Sequence, residues 1–171
     1  MDDALMQFLG ALTTGIYVLT VAENGRCHGM SSSWVTQVSG APPLFSAAVD
    51  NQHLSRAVIE RTRRFGLNIV GRRGRELEDY FYSPAARRAD NLENIDYVLS
   101  PRLGVPWLKS AMAAVAAEVV QELVAGDHTI YIARPQEIRI ESADRPLTSL
   151  DLDYVYLGGR TVIARDRRGW E

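Results

Sequence analysis

Apolar residues at Leu5, Phe8, Leu9 and Leu12 recur at i, i+3, i+4 and i+7. That spacing predicts an amphipathic opening helix over 3–13, ended by Gly15 and capping the core. The period then changes. Ile16 to Val21 is a β-rich apolar run, and Asn24-Gly25 suits a tight turn with positive φ at both central positions. A return strand is expected from about Arg26 to Val35, and another from Leu44 to Val49 after the Pro42-Pro43 break. Asn51 is a candidate N-cap for a helix ending near Arg63, with Leu54, Ala57 and Val58 on its apolar face. Phe65 to Val70 reads as a strand, and Arg75 to Tyr82 as a short helix stopped before Pro84. Residues 84–110, interrupted by Pro101 and Pro106, read as irregular.

Residues 111–124 fit two periods. Met112, Val115, Ala116, Val119 and Leu123 form a helical stripe, while Val115, Ala117, Val119 and Leu123 also fit a strand face; alanine propensity favours helix. Gly126-Asp127 is a turn signal, Thr129-Ile130-Tyr131-Ile132 is β-rich, and Ile138 and Ile140 alternate with charged residues, so a long hairpin is predicted. Leu147 to Leu157 offers one or two short strands, and the polar tail 160–171 is expected either to be mobile or to wrap a neighbour. Six or more strands with short helices between them argue for a mainly β, antiparallel barrel over a doubly wound sheet. Neither G-x-G-x-x-G nor G-x-x-x-x-G-K-[ST] occurs, so a nucleotide here needs another architecture.

Composition narrows the class. The 171 residues are 46% hydrophobic and 23% charged, which suits one globular domain over 1–171 and excludes a disordered chain. No apolar run approaches the ~18 residues of a membrane helix, and Met1-Asp2-Asp3 lacks a basic leader start, so a cytoplasmic protein without a membrane partner is expected. Cys27 is the one cysteine and cannot form an internal disulfide. A net charge of -2 argues against nucleic acid as a partner. Seven arginines nevertheless fall between Arg56 and Arg75 against one acid, Glu60. Such a run is ordinarily a solvated face, with a phosphate or partner site as the alternative. The three histidines and the cysteine have no metal-ligand spacing, and no G-x-S-x-G elbow is present.

Three stretches carry a resemblance: Thr14 to Thr20 running through the hairpin into His28-Gly29-Met30-Ser31-Ser32-Ser33-Trp34 and on to Pro42-Pro43-Leu44; Asn51 through Ser55 to Phe65-Gly66-Leu67-Asn68-Ile69; and Gly126-Asp127-His128-Thr129-Ile130-Tyr131-Ile132-Ala133. In this order, over about residues 8–158, the sequence resembles the flavin reductase-like family. The resemblance implies an FMN-binding, antiparallel split β-barrel, mainly β with short helices, working as a homodimer. It also implies a strand at 113–124. The implied reaction is NAD(P)H-dependent flavin reduction, with FMN or FAD as the flavin, NADH or NADPH as co-substrate, and a monooxygenase or redox protein as the recipient. An FMN-binding electron carrier without nicotinamide activity is the alternative, and an arginine-patch interaction module a third reading.

The implied flavin-binding residues are Ser31, Ser32, Ser33, Trp34, Thr36, Ser39, Asp50, Asn51, His53, Ser55 and Arg88. Hydroxyls at a strand end supply donors and acceptors for a flavin's polar edge, ribityl chain or phosphate, and the start of a helix favours an anion. Trp34 departs from the family's small hydroxyl residue, and either packs on the flavin ring or belongs to the core. Arg87 and Arg88 are candidate phosphate ligands or plain loop charges, and Arg72, Arg73 and Arg75 are candidates for reading a 2′-phosphate. The implied catalytic pair is His128 with Asp127, the carboxylate orienting an imidazole beside flavin and nicotinamide.

Overall fold

The computed structural model describes residues 2–158 and 161–164. Its main sheet has seven antiparallel strands: β1 (Tyr17–Glu23), β2 (Arg26–Ser32), β3 (Val35–Gly40), β4 (Pro43–Asp50), β5 (Arg64–Ile69), β8 (Ala113–Ala125) and β9 (His128–Ile140). They lie in the order β2-β1-β5-β8-β9-β4-β3. Two small ribbons complete the strands, β6 (Tyr97–Leu99) with β7 (Pro106–Leu108), and β10 (Tyr154–Gly158) with β11 (Thr161–Ala164). The helices are α1 (Asp3–Ala11), α2 (Leu54–Thr62) and α3 (Arg75–Tyr82). None of the described helices is long and apolar enough to cross a membrane.

The largely apolar run from Ile16 to Val21 reflects burial on both faces. Leu19 and Val21 join Phe65, Leu67, Ala47, Val49 and Tyr131 in one core cluster, while Ile16 and Val18 face the opposite way, onto Leu77, Phe81, Leu92 and Leu152. Asn24 and Gly25 both take positive φ, 50° and 75°, as the sequence predicts for a tight hairpin turn. Buried Asn68 ties three segments together: its amide donates to Val18 O and Thr20 Oγ1 at 3.1 and 3.2 Å, and its carbonyl accepts from Leu108 N at 2.8 Å. Gly66 is required beside it, since a Cβ there would stand 2.3 Å from Thr20 Oγ1 and 2.9 Å from the Pro106 carbonyl.

Residues 113–125 form a strand, so pairing along both edges overrides alanine's helical preference. The single return strand expected over 26–35 is two strands, parted at Ser33-Trp34. The region read as irregular contains the β6–β7 ribbon. The opening helix differs from expectation in what it covers. None of its residues is buried, and Leu5, Phe8 and Leu12 are 44%, 63% and 52% exposed. Its Gly10 lies against Val155 and Ile163, so α1 leans on the β10–β11 ribbon rather than capping the core. Of the tail 160–171, only Thr161–Ala164 lies within the described residues, where it pairs with β10; the rest of that expectation lies outside them.

Candidate functional site

A cavity of about 560 Å³ opens between the end of β2, α3 and the β10–β11 ribbon. One wall is apolar, from Ile16, Met30, Phe81, Leu152, Val155 and Leu157. Another is polar, from Ser31, Ser32, Ser33, Asp50, His53, Glu78 and His128. Trp34, Tyr82, Tyr154 and Tyr156 supply aromatic faces, and Arg87 a cation. A few convergent polar groups in a largely apolar concavity of about 300–1,000 Å³ is the form of a small-molecule site.

His128 begins β9 opposite Asp50 of β4 and is buried. Its Nδ1 lies 2.7 Å from Asp127 Oδ1. A carboxylate only accepts, so Nδ1 carries the hydrogen in the neutral ring and Nε2 is left as an acceptor. The same hydrogen bond holds the Asp127 carboxyl below the usual carboxylate range. Asn51 fixes this turn from the neighbouring strand end. Its backbone N–H donates to Asp127 O at 2.9 Å, its side-chain amide donates to Gly126 O at 3.2 Å, and its Oδ1 accepts from Thr129 Oγ1 at 2.7 Å.

Trp34 lies in the break between β2 and β3, where its carbonyl accepts from Ala48 N at 3.0 Å. The indole is half-buried in the cavity wall, with ring centroids 4.6 Å from His128 and 5.4 Å from Tyr156. The hydroxyl of Ser32 is buried and has no hydrogen-bond partner among the described residues. Thr36 and Ser39 lie farther along β3 and are not among the lining residues.

His53, not Asn51, caps α2: its Nδ1 accepts from Ser55 N at 3.1 Å. The ring touches two environments, lining the cavity while standing 5.3 Å, centroid to centroid, from the buried imidazole of His28. Burial, reinforced by His28 and opposed by Asp50, pulls the His53 pKa down to about 4. Ser55 is buried under the helix and Asn51 is committed to the turn, so neither reaches the cavity. Arg88 is held by Asp90, at 3.1 and 3.0 Å, and by Glu93; its neighbour Arg87 is the arginine in the wall.

Glu78 escaped the sequence reading. It is 3% exposed, lines the cavity, and accepts hydrogen bonds from Ser31 Oγ at 3.2 Å and from Tyr154 OH. Burial pushes its carboxyl above the usual range, with the Ser31 hydroxyl opposing. The signal was present, because Gly74, Leu77, Glu78 and Phe81 stand at i, i+3, i+4 and i+7, which puts an acid in a slot of the buried stripe. Tyr154 and Tyr156 had no such signal, since their place depends on how the β10–β11 ribbon folds back.

The family model of the flavin reductase like domain matches residues 9–159. A high molecular weight rubredoxin of Moorella thermoacetica is 27% identical over 142 residues, covering 82% of this chain; the chain spans 62% of that protein's length. An NADH-dependent flavin reductase of a Rhodococcus species is 28% identical over 137 residues, covering 78% of this chain and 74% of its own. Among solved structures, nitrilotriacetate monooxygenase component B from Mycobacterium thermoresistibile superposes with a TM-score of 0.75 at 25% identity, covering 99% of this chain and 97% of the other.

Proposed function

This chain belongs to the flavin reductase like family, and from that membership we propose that it reduces a flavin, FMN or FAD, with electrons from NADH or NADPH. The observation that carries the reading is the cavity, which gathers Trp34, His128 and the Ser31 to Ser33 hydroxyls against an apolar wall. Those residues fit a flavin. The unpartnered Ser32 hydroxyl and its neighbours suit a polar ring edge or ribityl chain, the apolar wall suits the ring body, and Arg87 suits a phosphate. When bound, flavin supplies the two-electron chemistry by accepting hydride from nicotinamide.

The chain's part is positioning. Trp34 and Tyr156 line the cavity side by side, with ring centroids 5.4 Å apart. Asp127 keeps the hydrogen of His128 on Nδ1, so Nε2 offers one fixed acceptor, and Asn51 holds the turn that carries both. His128 orients a ligand amide and needs no proton transfer to do so.

The antiparallel sheet is proposed to be a split barrel and the working unit a homodimer. Support comes from apolar side chains that one copy leaves in water: Phe8 of α1, Leu123 and Val124 of β8, Ile138 and Ile140 of β9. The similarity to a monooxygenase component supports a monooxygenase as recipient of the reduced flavin.

The test is His128→Ala. FMN affinity, followed by quenching of flavin fluorescence, is expected to stay within a few-fold, while steady-state NADH oxidation falls about tenfold or more through lost orientation. Unchanged NADH oxidation would remove His128 from the reaction.

A further inference from the structure

We propose that Glu78 takes up a proton when a flavin enters the cavity, so that flavin binding weakens as the pH rises. This rests on the flavin reading above. The carboxyl is buried in the cavity wall, and its two oxygens are held by neutral hydroxyls, Ser31 Oγ and Tyr154 OH, rather than by a lysine or arginine. An ionised carboxylate so placed depends on those two donors and on whatever water reaches the cavity. A ligand filling the cavity displaces that water and disfavours the charge, and a ligand phosphate adds repulsion of the same sign. Both effects favour the neutral acid, which gains a hydrogen to donate to a flavin carbonyl or ribityl oxygen.

The surroundings do not reverse this. On its own helix Arg75 favours the charge and Asp79 opposes it, and burial outweighs both in pushing the carboxyl up. Tyr154 faces it from β10, and Asp50, His53, His128 and Arg87 stand in the same cavity. The bound protein therefore holds the Glu78 proton to a higher pH than the free protein. Affinity is full below the free protein's titration and falls by up to about tenfold per pH unit until the bound protein's titration is passed.

The experiment is calorimetric titration with riboflavin, which has no phosphate to titrate, at several values from about pH 5 to about pH 9. Two buffers of different ionisation heat give the protons exchanged at each. Wild type is expected to take up protons, approaching one per flavin within the window. Glu78→Gln is expected to bind without that uptake, and the difference between the two cancels what His128 and Asp50 contribute. Tyr154→Phe removes one donor to the carboxylate and is expected to move the window to higher pH. This variant keeps the carboxyl in place and carries the test if Glu78→Gln does not fold. Equal proton numbers in wild type and Glu78→Gln, or an unmoved window in Tyr154→Phe, would overturn the proposal while leaving flavin binding intact. No binding of riboflavin or FMN by wild type would overturn both.

Discussion

His53 links helix, cavity and acid stability in one side chain. Its imidazole caps α2 through Nδ1 and sits beside His28, so protonation places a second charge in a buried pair and removes the acceptor that holds Ser55 N. The folded-state pKa of about 4 lies below the ordinary 6.5. The unfolded chain therefore binds the proton first, and stability present above the ordinary pKa is lost as the pH falls through that interval. The loss is on the order of 2 kcal/mol after allowing for partial exposure. His53→Asn keeps a good N-cap and removes the titration, so its urea midpoint is expected to be flatter across the interval than that of wild type. At this scale the sequence was informative about which residue types gather, and less so about which member of a pair does the work. Asn51 and His53 are both competent caps two positions apart, and only the pairing of β4 with β9 commits Asn51 to the Gly126 turn. Arg87 and Arg88 are likewise alike in sequence, and the neighbouring acids Asp90 and Glu93 decide which one stays in the loop.

β2 stands at one end of the sheet order, where a strand exposes unpaired backbone groups. Asn91 satisfies the edge at Gly29, accepting from its N–H at 2.9 Å and donating to its carbonyl at 2.6 Å, while the same amide donates to Ala86 O at 2.8 Å. A side-chain amide thus imitates one residue of a further strand and pins the segment after α3 to β2. Asn91→Ala leaves those backbone groups unpaired in a buried place and is expected to lower stability by about 2–3 kcal/mol, read from a urea titration. Asn91 was illegible in the sequence because its partner lies 62 residues away. The elements that could be read were those whose pattern is decided locally. Asn24-Gly25 made its hairpin, the run from Arg75 to Tyr82 made α3, and Ile130 and Ile132 marked β9. Residues 113–125 could not be assigned by period, because a strand of alanines and valines has nearly the same apolar density on both faces as a helix. The resemblance, not the pattern, pointed to a strand there.

Across the whole molecule, the arginine run that looked like a patch is dispersed. Arg56 pairs with Glu60 at 2.6 Å, Arg61 with Glu23 at 2.7 Å, Arg63 with Glu122, Arg72 with Asp151, and Arg73 with Asp144 at 3.4 Å. Four of these five acids lie far from the run in sequence, so composition alone could not show the neutralisation. Arg72, Arg73 and Arg75 are not among the cavity-lining residues, which separates them from the site as described. The uncovered apolar side chains are the counterpart at this scale. The proposed homodimer would cover Phe8 and Leu123, which are 63% and 61% exposed. Sedimentation is expected to give twice the chain mass, and Leu123→Glu to shift the population toward one copy without unfolding it; a wild-type chain that sediments only as a single copy would contradict the dimer. In the proposed reaction the cavity binds a flavin and lets a nicotinamide reduce it. Its most direct test is the anaerobic visible spectrum of the purified protein with FMN, before and after adding NADH and then NADPH. Rapid loss of the oxidised flavin absorbance with one of the two nucleotides is expected. A bound flavin that stays oxidised until dithionite is added would contradict the reductase and leave an electron carrier.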